Sequence, residues 1–231
     1  MTLGRLGQGA LVVVTACVVA AGGQAPASAA TTTVALWHMD EPAGSPTMVD
    51  SSGLGNDGTL HNVQQGQPGV NFSTDPTDLA YGFDGATSYV QVPDSSSLDP
   101  GTSNLTIAAS VNFTQRPAAT MDYDLIRKGL AATAGGDYKL EIWDNGQAFC
   151  LFKGSSDVAR IRNGPDLSDG RWHTLKCVKT DTNIQLVIDG TTFTKSAKVG
   201  SMSNSSDVIV GAKPGDDFYK GTLDEVRVDV G

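Results

Sequence analysis

The loop from Asp50 to Gly58 holds the densest group of metal-binding residue types in the chain. Asp50, Asn56 and Asp57 offer side-chain oxygens at close spacing, and the loop contains three glycines, which let backbone carbonyls turn inward. Calcium takes six to eight oxygen ligands from carboxylates, amides and backbone carbonyls. The spacing is not that of an EF-hand. It predicts either a calcium site or a metal-free turn whose Asn and Asp side chains bond their own backbone.

The other carboxylates do not show the spacing that glycoside hydrolysis needs. A retaining glycosidase holds two carboxylates about 5 Å apart, which acidic residues two apart on one strand achieve. Glu141 and Asp144 are three apart and point to opposite faces, while Asp216 and Asp217 are adjacent in a Gly/Pro loop. No predicted strand therefore carries a same-face acidic pair.

The histidines are also scattered. His38, His61 and His173 fall in different predicted elements, and His173 shares a strand face with apolar residues, which predicts a packed side chain. The sequence contains neither a His-x-x-x-His zinc signature nor a Gly-x-Ser-x-Gly nucleophile elbow. We therefore expect no catalytic residues.

Aromatic residues are the candidates for ligand contact. Carbohydrate sites need aromatic platforms and a few fixed polar groups on a concave face or a loop rim. The candidates for this role are Tyr138, Trp143, Phe152, Phe218 and Tyr219. The alternative is that one core absorbs most aromatic residues, and this is the expectation for Trp37 and Trp172.

Residues 1–30 are predicted to form a signal peptide of bacterial type. Arg5 is the only charge there, an apolar stretch follows it, and Ala27-Ser28-Ala29 supplies the small residues that cleavage requires. An alternative is lipid attachment at Cys17, which lies in a lipobox-like Val-Thr-Ala-Cys segment. Cleavage would secrete residues 31–231, a length that suits one domain.

The charge balance excludes some classes of partner. The chain has 16 basic and 25 acidic residues, a net charge of −9, and removal of Arg5 makes it −10. This acidity argues against nucleic acids and anionic membrane surfaces as partners. No later segment reaches the ~20 apolar residues of a membrane span.

Export would leave two cysteines, Cys150 and Cys177. An even pair in an exported chain predicts a disulfide, and each cysteine lies in a strand-like segment. Closing this loop would stabilise the fold by ~3 kcal/mol in the chain-entropy account. The alternative is a pair of buried free thiols.

Strand patterns dominate the rest of the chain. Twelve short segments between Val34 and Val230 show β-alternation, separated by clusters of Gly, Asp, Asn, Ser and Pro. In Leu105–Phe113, for example, apolar residues alternate with polar ones. We expect an all-β fold, an antiparallel jelly-roll β-sandwich with little helix.

Several segments in order resemble one family. These are Trp37–Glu41, Asp50–Gly58, Tyr81–Gly85, Leu105–Ile107, the Asp-Gly-Arg-Trp-His segment ending at His173, Leu186–Gly190 and Gly221–Val228. Together they are similar to laminin-G-like, concanavalin A-like lectin domains, and the resemblance covers nearly all of residues 31–231.

The resemblance implies one structural calcium ion, with Asp50, Asn56 and Asp224 as ligands. Strand alternation places Asp224 with Val226 and Val228 on the inner face, and it leaves Glu225 in solvent.

Domains of this family are mostly binding modules, which implies a secreted, non-catalytic protein that recognises an extracellular carbohydrate or glycoconjugate. The alternatives are a protein-binding adhesion or matrix module with a cell-surface protein as its partner, and a divergent glycan hydrolase or lyase.

Overall fold

The computed structural model describes residues 1–2 and 30–231. Residues 3–29, which hold most of the predicted signal peptide and Cys17, lie outside the described residues. None of the described helices has the length and apolar composition needed to cross a bilayer. One short 3-10 helix, Ser96–Leu98, accompanies the strands β1 (Thr32–Trp37), β2 (Thr47–Met48), β3 (Gly58–His61), β4 (Gln64–Pro68), β5 (Leu79–Asp84), β6 (Tyr89–Val92), β7 (Leu105–Asn112), β8 (Asp122–Lys128), β9 (Asp137–Trp143), β10 (Ala148–Lys153), β11 (Val158–Asn163), β12 (His173–Lys179), β13 (Asn183–Ile188), β14 (Thr191–Ser196), β15 (Val208–Val210) and β16 (Lys220–Val230).

The strands form two antiparallel sheets of eight strands each. Sheet 1 has the order β14-β13-β12-β7-β16-β5-β4, with β1 also paired to β16. Sheet 2 has the order β11-β10-β9-β8-β15-β6-β3-β2. The prediction of an all-β, antiparallel jelly-roll sandwich is confirmed.

The core lies between the sheets and follows the alternation of the sequence. In β7, Leu105, Ile107 and Val111 are fully buried, and so is Trp37 in β1, as predicted. The core prediction for Trp172 is wrong, because its ring is half-exposed beside a surface groove. Trp172 precedes His173, which shares the inward face of β12 with buried core residues, so alternation turns Trp172 outward.

All twelve predicted strands are present, and four further strands, β2, β3, β4 and β14, were not predicted. Three of these four lie at the ends of their sheets. β14 is almost entirely exposed, and β4 has no fully buried residue. An edge strand buries little on either face, so its sequence lacks the apolar alternation by which strands are recognised.

A disulfide between Cys150 and Cys177 joins the two sheets, as predicted. Cys150 lies in β10 of sheet 2 and Cys177 in β12 of sheet 1, and their Cα atoms are 5.6 Å apart. Both side chains are fully buried in the core. The bond therefore crosses the sandwich between strands that do not pair with each other.

Candidate functional site

The outer face of sheet 2, turned away from the core, carries polar and aromatic side chains next to one another. In β9 the residues Tyr138, Leu140 and Ile142 belong to the core, so the alternate residues point outward. The same alternation applies to β6 and β10, while in β8 a register shift between Asp124 and Ile126 places both Leu125 and Ile126 in the core and turns Arg127 outward. The outward residues of these four strands include Tyr89, Gln91, Asp122, Asp124, Arg127, Lys139, Glu141, Trp143 and Phe149.

A cleft of about 490 Å³ opens on this face. Its strand residues are Tyr89 and Gln91 of β6, Arg127 of β8 and Ile209 of β15, and the register places Ile209 opposite both Arg127 and Gln91. Three loops complete the lining with Gly129, Leu130, Thr133, Ser206, Asp207, Ala212, Lys213, Pro214, Gly215 and Phe218. This volume is within the usual range for small-molecule sites.

The cleft combines aromatic rings with polar groups that are held in place. The half-buried Tyr89 ring stacks on His61 with centroids 4.3 Å apart. The Arg127 guanidinium donates to Asp124 at 3.0 Å and to the carbonyl of Gly129 at 3.1 Å. The Gln91 amide donates to the carboxylate of Asp207. These contacts fix the polar groups before any ligand arrives, which lowers the entropy cost of binding.

Three carboxylates lie on the same outer face, next to Arg127. One oxygen each of Asp122, Asp124 and Glu141 belongs to a group whose members all lie within 4.8 Å of one another. The expectation that no strand carries a same-face acidic pair is therefore wrong. The reason is that β8 begins at Asp122, one residue earlier than predicted, so Asp122 and Asp124 share a face and Asp124 pairs opposite Glu141 of β9.

The environment of this acidic cluster disfavours full ionisation. Burial, together with the charges of Glu141 and Asp217, raises the pKa of Asp122 to about 6. Burial and the charge of Glu141 raise the pKa of Asp124 well above its ordinary value, against the opposing effect of Arg127. Lys139 forms an ion pair with Glu141. Among residues 30–231, one oxygen of each carboxylate in the cluster is buried without a hydrogen-bond partner.

The aromatic residues predicted to contact a ligand divide into two groups. Trp143 is half-buried on the outer face of sheet 2, with Arg162 4.3 Å above its ring and Phe149 5.1 Å away. Phe218 is half-buried and lines the cleft.

For Tyr138, Phe152 and Tyr219 the prediction of ligand contact is wrong, because all three lie in the core. Tyr138 is 1% exposed and its hydroxyl donates to the carbonyl of Leu98 at 3.1 Å. Tyr219 is fully buried and meets Tyr123 edge-to-face at 5.5 Å. Strand alternation turns Tyr138 inward, and Tyr219 follows the outward Phe218.

The Asp50–Gly58 loop brings Asp50 and Asn56 together. The carboxylate of Asp50 accepts from the backbone of Leu36, Ser52 and Asn56 at 2.9–3.0 Å and from the Ser52 hydroxyl at 2.7 Å. Burial raises the pKa of Asp50, but these hydrogen bonds outweigh it and hold the pKa below its ordinary value. Because both oxygens are used, the pattern resembles the metal-free turn, and calcium at this loop stays a prediction.

The hydrogen bonds of Asp224 are made outside that loop. Its side chain also points to the outer face of sheet 1, whereas the sequence predicted the inner face. Its carboxylate accepts from the backbone of Val70 and of Glu225, both at 2.8 Å. A β-bulge at Glu225, which has φ +51°, separates Leu223 from Val226, so both of these are inward and Asp224 is outward opposite Ser110. The inner-face prediction for Asp224 is therefore wrong. Burial raises its pKa to about 7.

Glu225 does not extend freely into solvent. Its carboxylate lies 2.8 Å from Nδ1 of His38, and its side chain is 35% exposed.

His173 is held between two carboxylates. Its Nδ1 lies 2.7 Å from Asp189 and its Nε2 lies 3.0 Å from Asp169. Burial lowers the pKa of His173, but the two carboxylates outweigh burial and raise it above the ordinary value. Hydrogen bonds from Arg171 and His173 lower the pKa of Asp169. The bridge connects the turn before β12 to the end of β13.

We expect His173→Gln to destabilise the protein more at pH 5.5 than at pH 8.5, by about 1 kcal/mol. Because the folded pKa of His173 is raised, its contribution is complete below the unfolded pKa of about 6.5 and is lost as the pH rises through the folded pKa. Urea unfolding at both pH values measures this. Lys176→Gln, on the exposed face of β12, is the control, and equal losses at both pH values for His173→Gln would contradict the prediction.

Comparison with known proteins gives the family. A laminin G-type profile of the concanavalin A-like lectin/glucanases superfamily matches residues 84–229. The chain belongs to this superfamily. The matched segment includes β8, β9 and β15, and therefore the acidic cluster and much of the cleft. A curated relative, neurexin like receptor 1 of Caenorhabditis elegans, is 37% identical over 71 residues, which are 29% of this chain and 6% of the receptor.

Solved structures share the fold of this superfamily domain at low identity. The binding domain of Paraclostridial Mosquitocidal Protein 1 superposes with a TM-score of 0.65 at 15% identity, over 85% of this chain and 48% of that one. Domain 4 of AbnA, a GH43 extracellular arabinanase from Geobacillus stearothermophilus solved with arabinotriose, gives 0.58 at 16% identity over 87% and 93%. The chain thus spans about half of the first and most of the second.

Sequence reasoning missed three groups of the site, although signals for two of them exist. Tyr89 and Gln91 alternate with the buried Val90 and Val92, which marks them as outward. Asp122 and Asp124 are two apart, and extension of the predicted strand by one residue would have placed them together. The opposition of Glu141 to Asp124 is a matter of register between strands, which no local pattern shows.

Proposed function

We propose that this superfamily domain is a secreted, non-catalytic binding module that recognises an extracellular carbohydrate in the cleft on the outer face of sheet 2. One observation carries the proposal. Two half-buried aromatic residues, Tyr89 and Phe218, line the same cleft as the fixed polar groups of Gln91 and Arg127. Sugar rings present apolar faces and hydroxyl edges, which such a combination matches.

Two further observations support the proposal. The arabinanase domain of the same fold was solved in complex with an oligosaccharide, arabinotriose. The buried disulfide between Cys150 and Cys177 suits an oxidising compartment outside the cytoplasm.

Burial argues against the hydrolase alternative. Asp124 is fully buried and Glu141 is 1% exposed, so a glycosidic carbon could not reach either carboxylate. Hydrolysis needs two carboxylates in contact with the scissile bond, and of the three carboxylates in the acidic cluster only that of Asp122 is partly exposed. We therefore infer that the acidic cluster has a structural role in sheet 2 and does not cleave glycosidic bonds.

The test is a polysaccharide and oligosaccharide panel, with binding and release of reducing ends recorded together. For a sugar that binds, we expect Tyr89→Ala and Phe218→Ala to weaken the affinity about tenfold each, or about 1.4 kcal/mol. Phe72→Ala removes an exposed aromatic ring outside the cleft and is the matched control. Its affinity should equal that of the wild type.

Three results would overturn the proposal. Release of reducing ends would show catalysis. Equal effects of Phe72→Ala and Phe218→Ala would place the ligand elsewhere. Failure of every glycan to bind would favour a protein partner.

A further inference from the structure

The acidic cluster contains buried oxygens that the chain leaves without partners. Asp124 is fully buried and Glu141 is 1% exposed. Among residues 30–231, Oδ1 of Asp122, Oδ1 of Asp124 and Oε2 of Glu141 are buried with no hydrogen-bond donor. A buried carboxylate oxygen without a partner is costly, so such atoms normally face a donor or a cation.

The basic side chains around the cluster do not complete it. Arg127 binds Oδ2 of Asp124, and Lys139 binds Oε1 of Glu141, in each case the oxygen opposite the unpartnered one. Asp122 forms no ion pair within the described part of the chain. Arg127 and Lys139 each bind one carboxylate oxygen, and the three unpartnered oxygens accept no hydrogen bond from a basic side chain within residues 30–231.

We propose that Asp122, Asp124 and Glu141 bind a calcium ion on the outer face of sheet 2. The ion would link β8 to β9, with water molecules completing its shell. This site is separate from the Asp50–Gly58 loop, where backbone and hydroxyl donors already occupy both oxygens of Asp50.

The ligand type and the irregular arrangement of the carboxylates favour calcium over magnesium. The three ligand atoms lie within 4.8 Å of one another. Three carboxylate oxygens this close together can bind one cation, and calcium takes six to eight oxygen ligands in flexible geometry, whereas magnesium demands a near-ideal octahedron. Calcium also tolerates an irregular shell of side chains and water, which three carboxylates on two strands require.

Terbium luminescence tests the proposal, because terbium replaces calcium and emits when a nearby tryptophan is excited. Trp143 lies opposite Asp122 in the register of β8 and β9. Trp37 lies near the other candidate site, since its indole N–H donates to the carbonyl of Asn56 at 2.8 Å. The tryptophan that sensitises terbium therefore identifies which site holds the ion.

We expect wild-type protein to sensitise terbium, and calcium to displace it with a Kd of about 10⁻⁴–10⁻³ M, as in extracellular modules. Trp143→Phe should remove most of the emission while calcium binding, measured by calorimetry, is retained. Asp122→Asn should weaken calcium binding at least tenfold. Asp144→Asn is the matched control, because Asp144 follows β9 but is not part of the cluster.

Two outcomes would overturn the proposal. One is that calorimetry detects no binding at calcium concentrations up to about 10 mM, well above the dissociation constants of extracellular sites. The other is binding that Asp50→Asn abolishes and Asp122→Asn leaves intact, with emission that survives Trp143→Phe. A calcium-dependent rise in the melting temperature of wild-type protein, absent in Asp122→Asn, supports the site without needing a carbohydrate ligand. These readouts are independent of the proposed function.

Discussion

Replacement of Cys150 and Cys177 by alanine together is expected to lower the free energy of unfolding by about 3 kcal/mol. The two residues are separated by 27 positions in the sequence, and closing a loop of this length restricts the unfolded chain by about that amount. The bond also joins β10 to β12 across the core, where both side chains are fully buried. Small cavities left by the lost sulfur atoms add to the effect.

Urea unfolding of the oxidised wild type and the double variant measures this change. Wild-type protein that is reduced in denaturant and then refolded under reducing conditions is the control, since it loses the bond but keeps both sulfur atoms. Its stability should fall close to that of the double variant. Equal unfolding free energies for the oxidised wild type and the double variant would contradict the prediction.

Lys128→Met is expected to destabilise the protein by about 3 kcal/mol. Lys128 is fully buried and points inward opposite Tyr138, an unusual position for a lysine. Its ammonium group donates to the carbonyls of Asn204 at 2.6 Å and Ser206 at 2.9 Å, and it also pairs with the carboxylates of Asp94 and Asp99.

Methionine fills a similar volume but satisfies none of these acceptors. Asp94 is 35% exposed and can recover solvation, so most of the loss comes from the two carbonyls and from Asp99, which is 18% exposed. The segment held by Lys128 includes Ser206, which lines the cleft, so we also expect weaker binding of any cleft ligand.

The measurement is urea unfolding at neutral pH, with Lys176→Met on the exposed face of β12 as the matched control. That control should change the free energy of unfolding by less than about 0.5 kcal/mol. A loss below about 1 kcal/mol for Lys128→Met would show that solvent replaces the ammonium group more easily than its burial indicates.

The cleft and the acidic cluster differ in how far their residues could be identified from sequence. Phe218 was identified because an aromatic residue in a polar loop is visible locally. Asp122 and Asp124 were missed because one residue at the start of β8 decides whether two acids share a face. Arg127 was missed because a register shift between Asp124 and Ile126 interrupts the alternation of β8 and turns Arg127 outward. Tyr138 and Tyr219 were misassigned, because the local sequence does not distinguish an aromatic residue that faces the core from one that faces the solvent.

The sequence by itself determined the fold class, twelve of the strands and the disulfide partners. Alternation of apolar and polar residues reports which face of a strand is buried, and residues 30–231 contain two cysteines, which allow one pairing. Only the tertiary structure decided which outward faces meet. The bulge at Glu225 moves Asp224 to the outer face of sheet 1, and the register of β8 with β9 brings Glu141 to Asp124. Both depend on pairing between strands distant in sequence, which local patterns do not encode.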